Sequence, residues 1–323
     1  MFKFLNLNPE SFGLDINDSS LKIVKTRKKF GLLMPVSFGE KKLSPGIIEN
    51  GVIKNEEALI KEIKELAAGT KGERLATKYI TVSLPEEKSF FQVVQMPKME
   101  KQELKSAIVF EAENYIPMPS EHMYLDFQVV DPIVDHLEHL DVLIVAMEKT
   151  MVDSYVSCIK KAGFFPVALE SEAQSAVRAL IKNETSLSPV VIIDLEGSRA
   201  DFIVFAGHSI RFTSSMQAVD LEKLADEIKK YLDFYLTHDS HTHLHLPKNG
   251  GIEKIILSGA GDNFKGADEF LKKNLGIPVE FGNPLINFSA KLKKTGLDGL
   301  DSNPLAFATA IGLSLRKPEI EKK

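Results

Sequence analysis

The amino-acid sequence predicts an α/β fold made of two related halves. Short β-branched runs alternate with helical patterns along the 323 residues, as is typical of mixed or parallel α/β proteins. The length suits about two domains, each large enough to bury its own core. A pattern of strand, Asp, turn, Ser and second strand occurs twice, in FGLDINDSSLKIV and in VIIDLEGSRADFIV. We therefore expect a duplicated fold with a cleft between its halves.

The composition argues against several classes of protein. Hydrophobic residues make up 44% of the chain, charged residues 26%, and the net charge is -5, whereas nucleic-acid binders carry a basic domain or stripe. No stretch approaches the ~18 apolar residues that a membrane-spanning helix needs. The start, MFKFLNLNPE, lacks the long apolar core of a signal peptide. We expect a soluble, cytoplasmic protein.

The first half alternates strands and helices. Strand patterns run through FGLDI, SLKIVKT and the 31–43 region. A helix with one apolar face follows at about 56–67 and ends before Gly69. YITVSL and FFQVVQM predict further strands. The next helix stops at IPMP, because Pro117 and Pro119 cannot continue it, and LDFQVV and LDVLIVAM predict two more strands.

The alternation continues to the end of the chain, and the second half opens at VVIIDLEGSRADFIVF. Helices at about 150–161 and 171–182 flank the strand FFPVALE, and NETSLSP predicts a linker because turn-forming residues dominate it. After the strands around VVIIDLEGSRADFIVF, apolar residues at helical spacing predict a helix at 220–236. The strand KIILSGAG, a helix ending at Leu275 and an apolar helix at about 304–315 complete the pattern.

The repeated turn and a glycine-rich turn suit the binding of a nucleotide. Alignment pairs Asp15 with Asp194, and Ser19 with Ser198. Small residues in a tight hairpin direct backbone N–H groups at a phosphate, and an Asp at each strand end can hold Mg²⁺ through water. The turn at 259–261 lets a nucleoside approach the backbone. Each feature alone is common in turns, but their order together favours a nucleotide site.

The order of these turns resembles the actin, Hsp70 and sugar-kinase superfamily. Within it, the chain is similar to the PilM family of type IV pilus assembly proteins. FGLDINDSSLKIVKT resembles the family's opening strand and turn, and LIVAMEKTMVDSYVSCIKKAGFFPVALESEA matches a later strand, helix and strand. The block VVQMPKM…ELKSAIVFEAENYIPMPSEHMYLDFQVV is the most specific part. The resemblance covers nearly the whole chain.

The resemblance implies an α/β, actin-like (ribonuclease H-like) duplicated fold with two domains around a nucleotide cleft. Domain 1 would span 1–168, with an extra α+β subdomain inserted at about 78–165, and a trimmed domain 2 would span 169–302. A C-terminal helix at 303–316 would return toward domain 1, followed by a frayed tail at 317–323.

The resemblance also implies ligands and partners. The cofactors would be ATP and Mg²⁺, the latter held through water by Asp15 and Asp194. One partner would be the N-terminal cytoplasmic peptide of PilN, an inner-membrane protein, docked in a groove on the first domain. Other pilus assembly proteins would be further partners. Membrane association would come only through these partners. The nucleotide-binding residues that it implies are Asp15, Asn17, Ser19, Ser20, Lys22, Asp194, Ser198, Gly259, Ala260 and Gly261.

Three departures from the family pattern predict weak nucleotide binding. The glycine expected two places after Asp15 is Asn17, a residue that tolerates left-handed backbone. The equivalent glycine of the second turn is Glu196, whose charge would oppose a phosphate by ~4 kcal/mol at 4 Å. Only about 45 residues separate Thr213 from Ser258, which leaves a trimmed second domain. We expect negligible hydrolysis and predict no catalytic residue.

Other functions stay open at this point. An active actin-like ATPase or sugar kinase is the main alternative, although no motif supplies a catalytic base. A filament protein such as FtsA would need an amphipathic C-terminal helix, for which KPEIEKK is too short and too charged. The single cysteine, Cys158, is expected in the core. A surface loop, rather than a metal site, is expected at the tract of His238, His241, His243 and His245.

Overall fold

A computed structural model describes residues 10–29, 31–116, 118–130, 138–197, 199–217, 220–237, 251–260, 265–288 and 296–316. The chain forms two compact units. Unit 1 comprises Met1–Leu84, Ser154–Ala179 and Pro284–Lys323, and unit 2 comprises Pro85–Asp153 and Leu180–Asn283. Both units combine segments that are far apart in sequence.

Strands and helices alternate through the described residues. The helices are α1 (Glu56–Ala68), α2 (Lys101–Glu113), α3 (Lys149–Lys161), α4 (Glu172–Leu180), α5 (Leu221–Thr237), α6 (Ala267–Leu275), α7 (Asp298–Ser302) and α8 (Ala308–Leu315). The strands are β1 (Ser11–Ile16), β2 (Ser20–Lys29), β3 (Leu32–Lys42), β4 (Ile48–Glu49), β5 (Val52–Ile53), β6 (Lys71–Gly72), β7 (Tyr79–Leu84), β8 (Ser89–Pro97), β9 (Met123–Val130), β10 (His139–Glu148), β11 (Phe165–Ser171), β12 (Ser186–Glu196), β13 (Arg199–Gly207), β14 (Ser209–Gln217), β15 (Lys254–Ala260) and β16 (Val279–Phe281).

Unit 1 is built on a six-stranded mixed sheet in the order β11-β7-β1-β2-β3-β6. Strand β1 runs antiparallel to β2 and parallel to β7. Helix α8, whose sequence ATAIGLSL is almost wholly apolar, is buried along most of its length against β1, β2 and β7. Glycines permit this close packing, because a Cβ on Gly13 would lie 2.4 Å from the carbonyl oxygen of Ala310.

Unit 2 contains two sheets, each covered by helices. A three-stranded antiparallel sheet, β8-β10-β9, packs its apolar side chains against α2. A five-stranded sheet, β14-β13-β12-β15-β16, carries the larger core, where α5 and α6 pack on one face. A buried ion pair joins β10 to β14, with 3.1 Å between a guanidinium nitrogen of Arg211 and the Asp141 carboxylate.

The predicted elements agree with the observed ones except at the linker and at the last helix, which was predicted from about 304 and begins at Ala308 after a 3-10 turn at Pro304–Phe307. The helix predicted at 56–67 is Glu56–Ala68, and the helix predicted at 220–236 is Leu221–Thr237. The linker predicted for NETSLSP is wrong for its second half, because β12 begins at Ser186. Its pairing with β13 is irregular between Ser186 and Val190, which accommodates turn-forming residues inside a strand.

Further expectations concern membrane spans, Cys158, the histidine tract and the C-terminal tail. Among the described residues, none of the helices has the length and apolar character needed to cross a bilayer. Cys158 is buried, as predicted. The histidine tract at 238–245 and the tail at 317–323 lie outside the described residues.

Candidate functional site

The first candidate turn joins β1 to β2 in unit 1, and Asp15 precedes it. Asp15 is the cross-strand partner of Lys22 on β2, and its side chain contacts Ser83 of β7. The Ser83 hydroxyl donates to Asp15 Oδ1 at 2.9 Å and accepts the N–H of Ile16 at 2.9 Å. Lys22 Nζ lies 4.0 Å from Asp15 Oδ2, and both side chains are almost fully buried. The Asp15 carboxylate is thus held by partners within the unit.

The side chain of Asn17 closes the first turn. Its Oδ1 accepts the backbone N–H of Ser19 at 3.0 Å, the backbone N–H of Ser20 at 2.8 Å and the Ser19 hydroxyl at 3.1 Å. The Asn17 N–H donates to the Ser20 carbonyl at 3.1 Å. Asn17 is not among the described non-glycine residues with positive φ. The left-handed backbone for which we expected Asn17 to substitute is therefore absent, and its carboxamide shapes the turn instead.

Asp18 fixes the first turn to a neighbouring hairpin. Its carboxylate accepts the N–H of Asn50 at 2.6 Å and the N–H of Gly51 at 3.0 Å, at the turn between β4 and β5. Asp18 and Ser83 were not among the predicted site residues. The Asn50-Gly51 dipeptide is a turn signal that could have located the hairpin, but nothing local links it to Asp18.

The second candidate turn joins β12 to β13 in unit 2, and a row of polar residues crosses the sheet beside it. Asp194 is level with Asp201 on β13 and with Ser258 on β15, and Asp201 is level with Ser215 on β14. Residues that are directly opposite each other on neighbouring strands have their side chains on the same face of the sheet. Ile193 and Leu195 pack on the helix side, so Asp194 faces the opposite side. Ser198 lies outside the described residues.

Arg199, directly after the second turn, belongs to an ion-pair cluster. Its guanidinium lies 2.5 Å from Glu87 Oε2 and 3.2 Å from Asp201 Oδ2. The Ser215 hydroxyl donates to Asp201 Oδ1 at 2.5 Å. Burial raises the pKa of Asp201; Arg199 and Ser215 act to lower it, while the charges of Glu87 and Glu196 raise it further. The carboxylate of Glu196 therefore adds negative charge to a cluster that is already rich in carboxylates.

The third candidate turn follows β15, and packing dictates its glycine. Gly259 has φ of 97°, and a Cβ there would lie 2.0 Å from the carbonyl oxygen of Leu195 on the adjacent strand. No larger residue fits without moving backbone. Nothing is described of the Ala260 side chain, and Gly261 lies outside the described residues. Close packing of β15 on β12 thus accounts for the glycine with or without a nucleoside.

The first turn, as placed, does not fit a phosphate group. A phosphate needs free backbone donors, whereas Ser19 and Ser20 donate theirs to Asn17. Lys22 has its ammonium group beside Asp15 in the interior. Within the described part of the chain, no group of three His, Cys, Asp or Glu side chains could hold a metal ion. Asp15 and Asp194 remain candidates for contact with Mg²⁺ through water only.

The mixed sheets and the repeated strand-Asp-turn give this chain the actin-like ATPase fold. Its structure matches a chain of a PilM–PilN type IV pilus biogenesis complex with TM-score 0.78 and 22% identity, over 97% of this chain and 99% of that one. It also matches the ethanolamine utilization protein EutJ from Carboxydothermus hydrogenoformans with TM-score 0.54 and 13% identity, over 95% and 89% of the two chains. These likenesses confirm the predicted fold class.

The family follows from the sequence itself. The family model described as type IV pilus assembly protein PilM matches residues 13–234, which is more than half of the 323 residues. The chain belongs to the PilM family of type IV pilus assembly proteins. The matched range includes both strand-Asp-turn segments and ends within α5, and the resemblance noted from the sequence is confirmed.

Proposed function

We propose that this protein is a scaffold of type IV pilus assembly that binds the N-terminal cytoplasmic peptide of a PilN-like membrane protein. The observation that carries the proposal is the match of the PilM family model to residues 13–234. The likeness to a chain of a PilM–PilN complex, which extends over 97% of this chain, supports it. The protein would lie at the cytoplasmic face of the inner membrane and be held there by its partners.

Weak nucleotide binding is the second part of the proposal. Glu196 follows Asp194 by two residues, and its charge already acts on the buried Asp201. A nucleotide phosphate beside this turn would meet further repulsion, ~4 kcal/mol per like charge at 4 Å and an effective dielectric of 20. Arg199, which could have offset that charge, is paired with Glu87 and Asp201.

A binding titration tests the scaffold function. A synthetic peptide with the N-terminal sequence of a PilN-like protein from the same organism would be titrated by fluorescence anisotropy. We expect saturable binding of this peptide and no binding of a scrambled peptide of equal composition. Equal anisotropy changes for the two peptides would refute a specific docking site.

Calorimetry with ATP and Mg²⁺ tests the nucleotide part. We expect weak or undetectable heat at millimolar nucleotide and no phosphate release above background. The competing function, an active ATPase or a sugar-kinase-like enzyme, predicts a Mg²⁺-dependent rate that both Asp15→Ala and Asp194→Ala abolish. Such a rate would refute weak nucleotide binding and show that the protein is an active enzyme.

A further inference from the structure

One oxygen atom in the first turn accepts several hydrogen bonds from its own chain. Asn17 Oδ1 accepts two consecutive backbone N–H groups, those of Ser19 and Ser20, together with the Ser19 hydroxyl. Successive N–H groups that converge on one oxygen form an anion-binding nest. Here the oxygen belongs to the chain itself, and Asn17 is only 4% exposed. The nest is therefore filled from within the protein.

We infer that the Asn17 carboxamide is a built-in substitute for a phosphate oxygen, which shuts this turn to the phosphates of a nucleotide. The inference rests on the proposed function only in treating the turn as the remnant of a nucleotide site. An incoming phosphate gains little here, because each N–H that it would accept must first leave an existing acceptor. The turn keeps its shape without a ligand.

The surrounding contacts hold the carboxamide in this position. Asn17 Nδ2 donates to the Ser20 hydroxyl at 3.3 Å, so both ends of the carboxamide are engaged. The Leu43 N–H donates to the Ser19 carbonyl at 2.8 Å, which anchors the turn to the end of β3. Asp18 ties the turn to Asn50 and Gly51 and adds a negative charge that disfavours an anion. Displacement of Asn17 would disturb all of these contacts.

Substitution of Asn17 tests the inference, with inorganic pyrophosphate as the probe. Asn17→Gly removes the internal acceptor, so we expect a lower melting temperature without ligand and recovery with pyrophosphate. The affinity of this variant for pyrophosphate should exceed that of the wild-type protein by about tenfold or more, the value of one regained hydrogen bond to a charged acceptor. Asn17→Asp keeps an acceptor of the same shape and should behave as the wild-type protein does.

A matched control substitutes the neighbouring asparagine. Asn50 is exposed with φ of 49°, so glycine is tolerated there, and the substitution leaves the contacts of Asn17 in place. Asn50→Gly should show no response to pyrophosphate. A response by Asn17→Asp or Asn50→Gly equal to that of Asn17→Gly would overturn the inference. So would an Asn17→Gly protein that is destabilised yet unaffected by pyrophosphate, because Asn17 would then have a purely structural role.

A measurement on the wild-type protein keeps the test decisive if Asn17→Gly does not fold. The amide resonances of Ser19 and Ser20 should stay in place when millimolar pyrophosphate is added, and a saturable shift of both would overturn the inference. Binding of the PilN-like peptide to the wild-type protein is measured in parallel. If the peptide did not bind, the proposed function would be contradicted but the inference about Asn17 would not, because the amide shifts report only on the first turn.

Discussion

At the scale of single residues, Cys158 shows how burial decides chemical behaviour. The thiol lies on α3 inside unit 1. Burial raises its pKa to about 12, and the charge of Glu56 acts in the same direction. At pH 8 the reactive thiolate form makes up on the order of one ten-thousandth of the Cys158 side chains. We expect no reaction with Ellman's reagent in the folded protein and complete reaction in concentrated urea. Reaction of the folded protein at the rate of free cysteine would contradict this burial.

Gly259 offers a second prediction at the same scale. Both Gly259 and Gly266 have positive φ, but a Cβ on Gly259 would meet the Leu195 carbonyl at 2.0 Å, whereas Gly266 has nothing within 4 Å. Gly266→Ala should cost about 1 kcal/mol of unfolding free energy from backbone strain alone. Gly259→Ala should cost roughly 3 kcal/mol or more, because backbone must also move. Urea unfolding measures both, and equal losses would show that β15 can shift away from β12.

At the scale of elements, the docking of α8 depends on a glycine. A Cβ on Gly312 would lie 1.8 Å from the Ser175 carbonyl oxygen of α4. In an isolated helix, glycine to alanine stabilises by about 1 kcal/mol. We expect Gly312→Ala to destabilise instead, by roughly 3 kcal/mol, because α8 must move away from α4. Thermal and urea unfolding provide the measurement. A neutral or stabilised variant would mean that the two backbones do not approach this closely.

Ion pairs also hold the C-terminal end of α8 in place. The Glu170 carboxylate of β11 forms a bidentate ion pair with the Arg178 guanidinium, in which Glu170 Oε2 accepts a hydrogen bond at 3.0 Å. Glu170 Oε2 also lies 2.7 Å from a guanidinium nitrogen of Arg316, which directly follows α8. The Ser175 hydroxyl donates to Glu170 Oε1 at 2.9 Å. Glu170→Gln leaves two guanidinium groups without their carboxylate in a largely buried place, so we expect a loss of about 3 kcal/mol.

An exposed ion pair provides the control for Glu170. Glu280 lies 2.6 Å from Lys254, and its side chain is 56% exposed. Glu280→Gln should change the free energy of unfolding by less than about 1 kcal/mol, because solvent screens such pairs. Urea unfolding of both variants gives the comparison. If the two losses were equal, the Glu170 cluster would contribute no more than a surface contact.

At the scale of the whole molecule, the elements could be predicted from the sequence because their signals are local. Apolar spacing located α5 to within one residue at each end, and the prolines after α2 marked its limit. The strand start at Ser186 could not be predicted in this way, because the turn-forming residues of NETSLSP gain strand geometry only by pairing with β13. Long-range pairing overrode local preference at this place.

The candidate site could be predicted only in part for the same reason. Asp15 and Asp194 were found because each ends an apolar strand before a turn. Ser83, which holds Asp15, lies 68 residues further along the chain, and no local pattern connects the two. We expected Asn17 to replace a glycine through its tolerance of left-handed backbone, and this was wrong. The sequence shows which residue stands at this position, but it does not show the hydrogen bonds that the side chain makes. The grouping of Pro85–Asp153 with Leu180–Asn283 likewise depends on contacts between distant segments.

A closed first turn and a carboxylate-rich second turn together predict how the protein as a whole responds to nucleotide. A ligand shifts a conformational equilibrium only if it binds one state better than another. If ATP binds so weakly that millimolar nucleotide leaves the site largely empty, it cannot change the affinity for the PilN-like peptide. We expect the dissociation constant of the peptide to agree within about twofold with and without millimolar ATP and Mg²⁺, because allosteric coupling typically changes affinity about fivefold or more. A fivefold change would show that nucleotide controls docking, and the Asn17→Gly protein, measured alongside, would show whether opening the first turn creates that control.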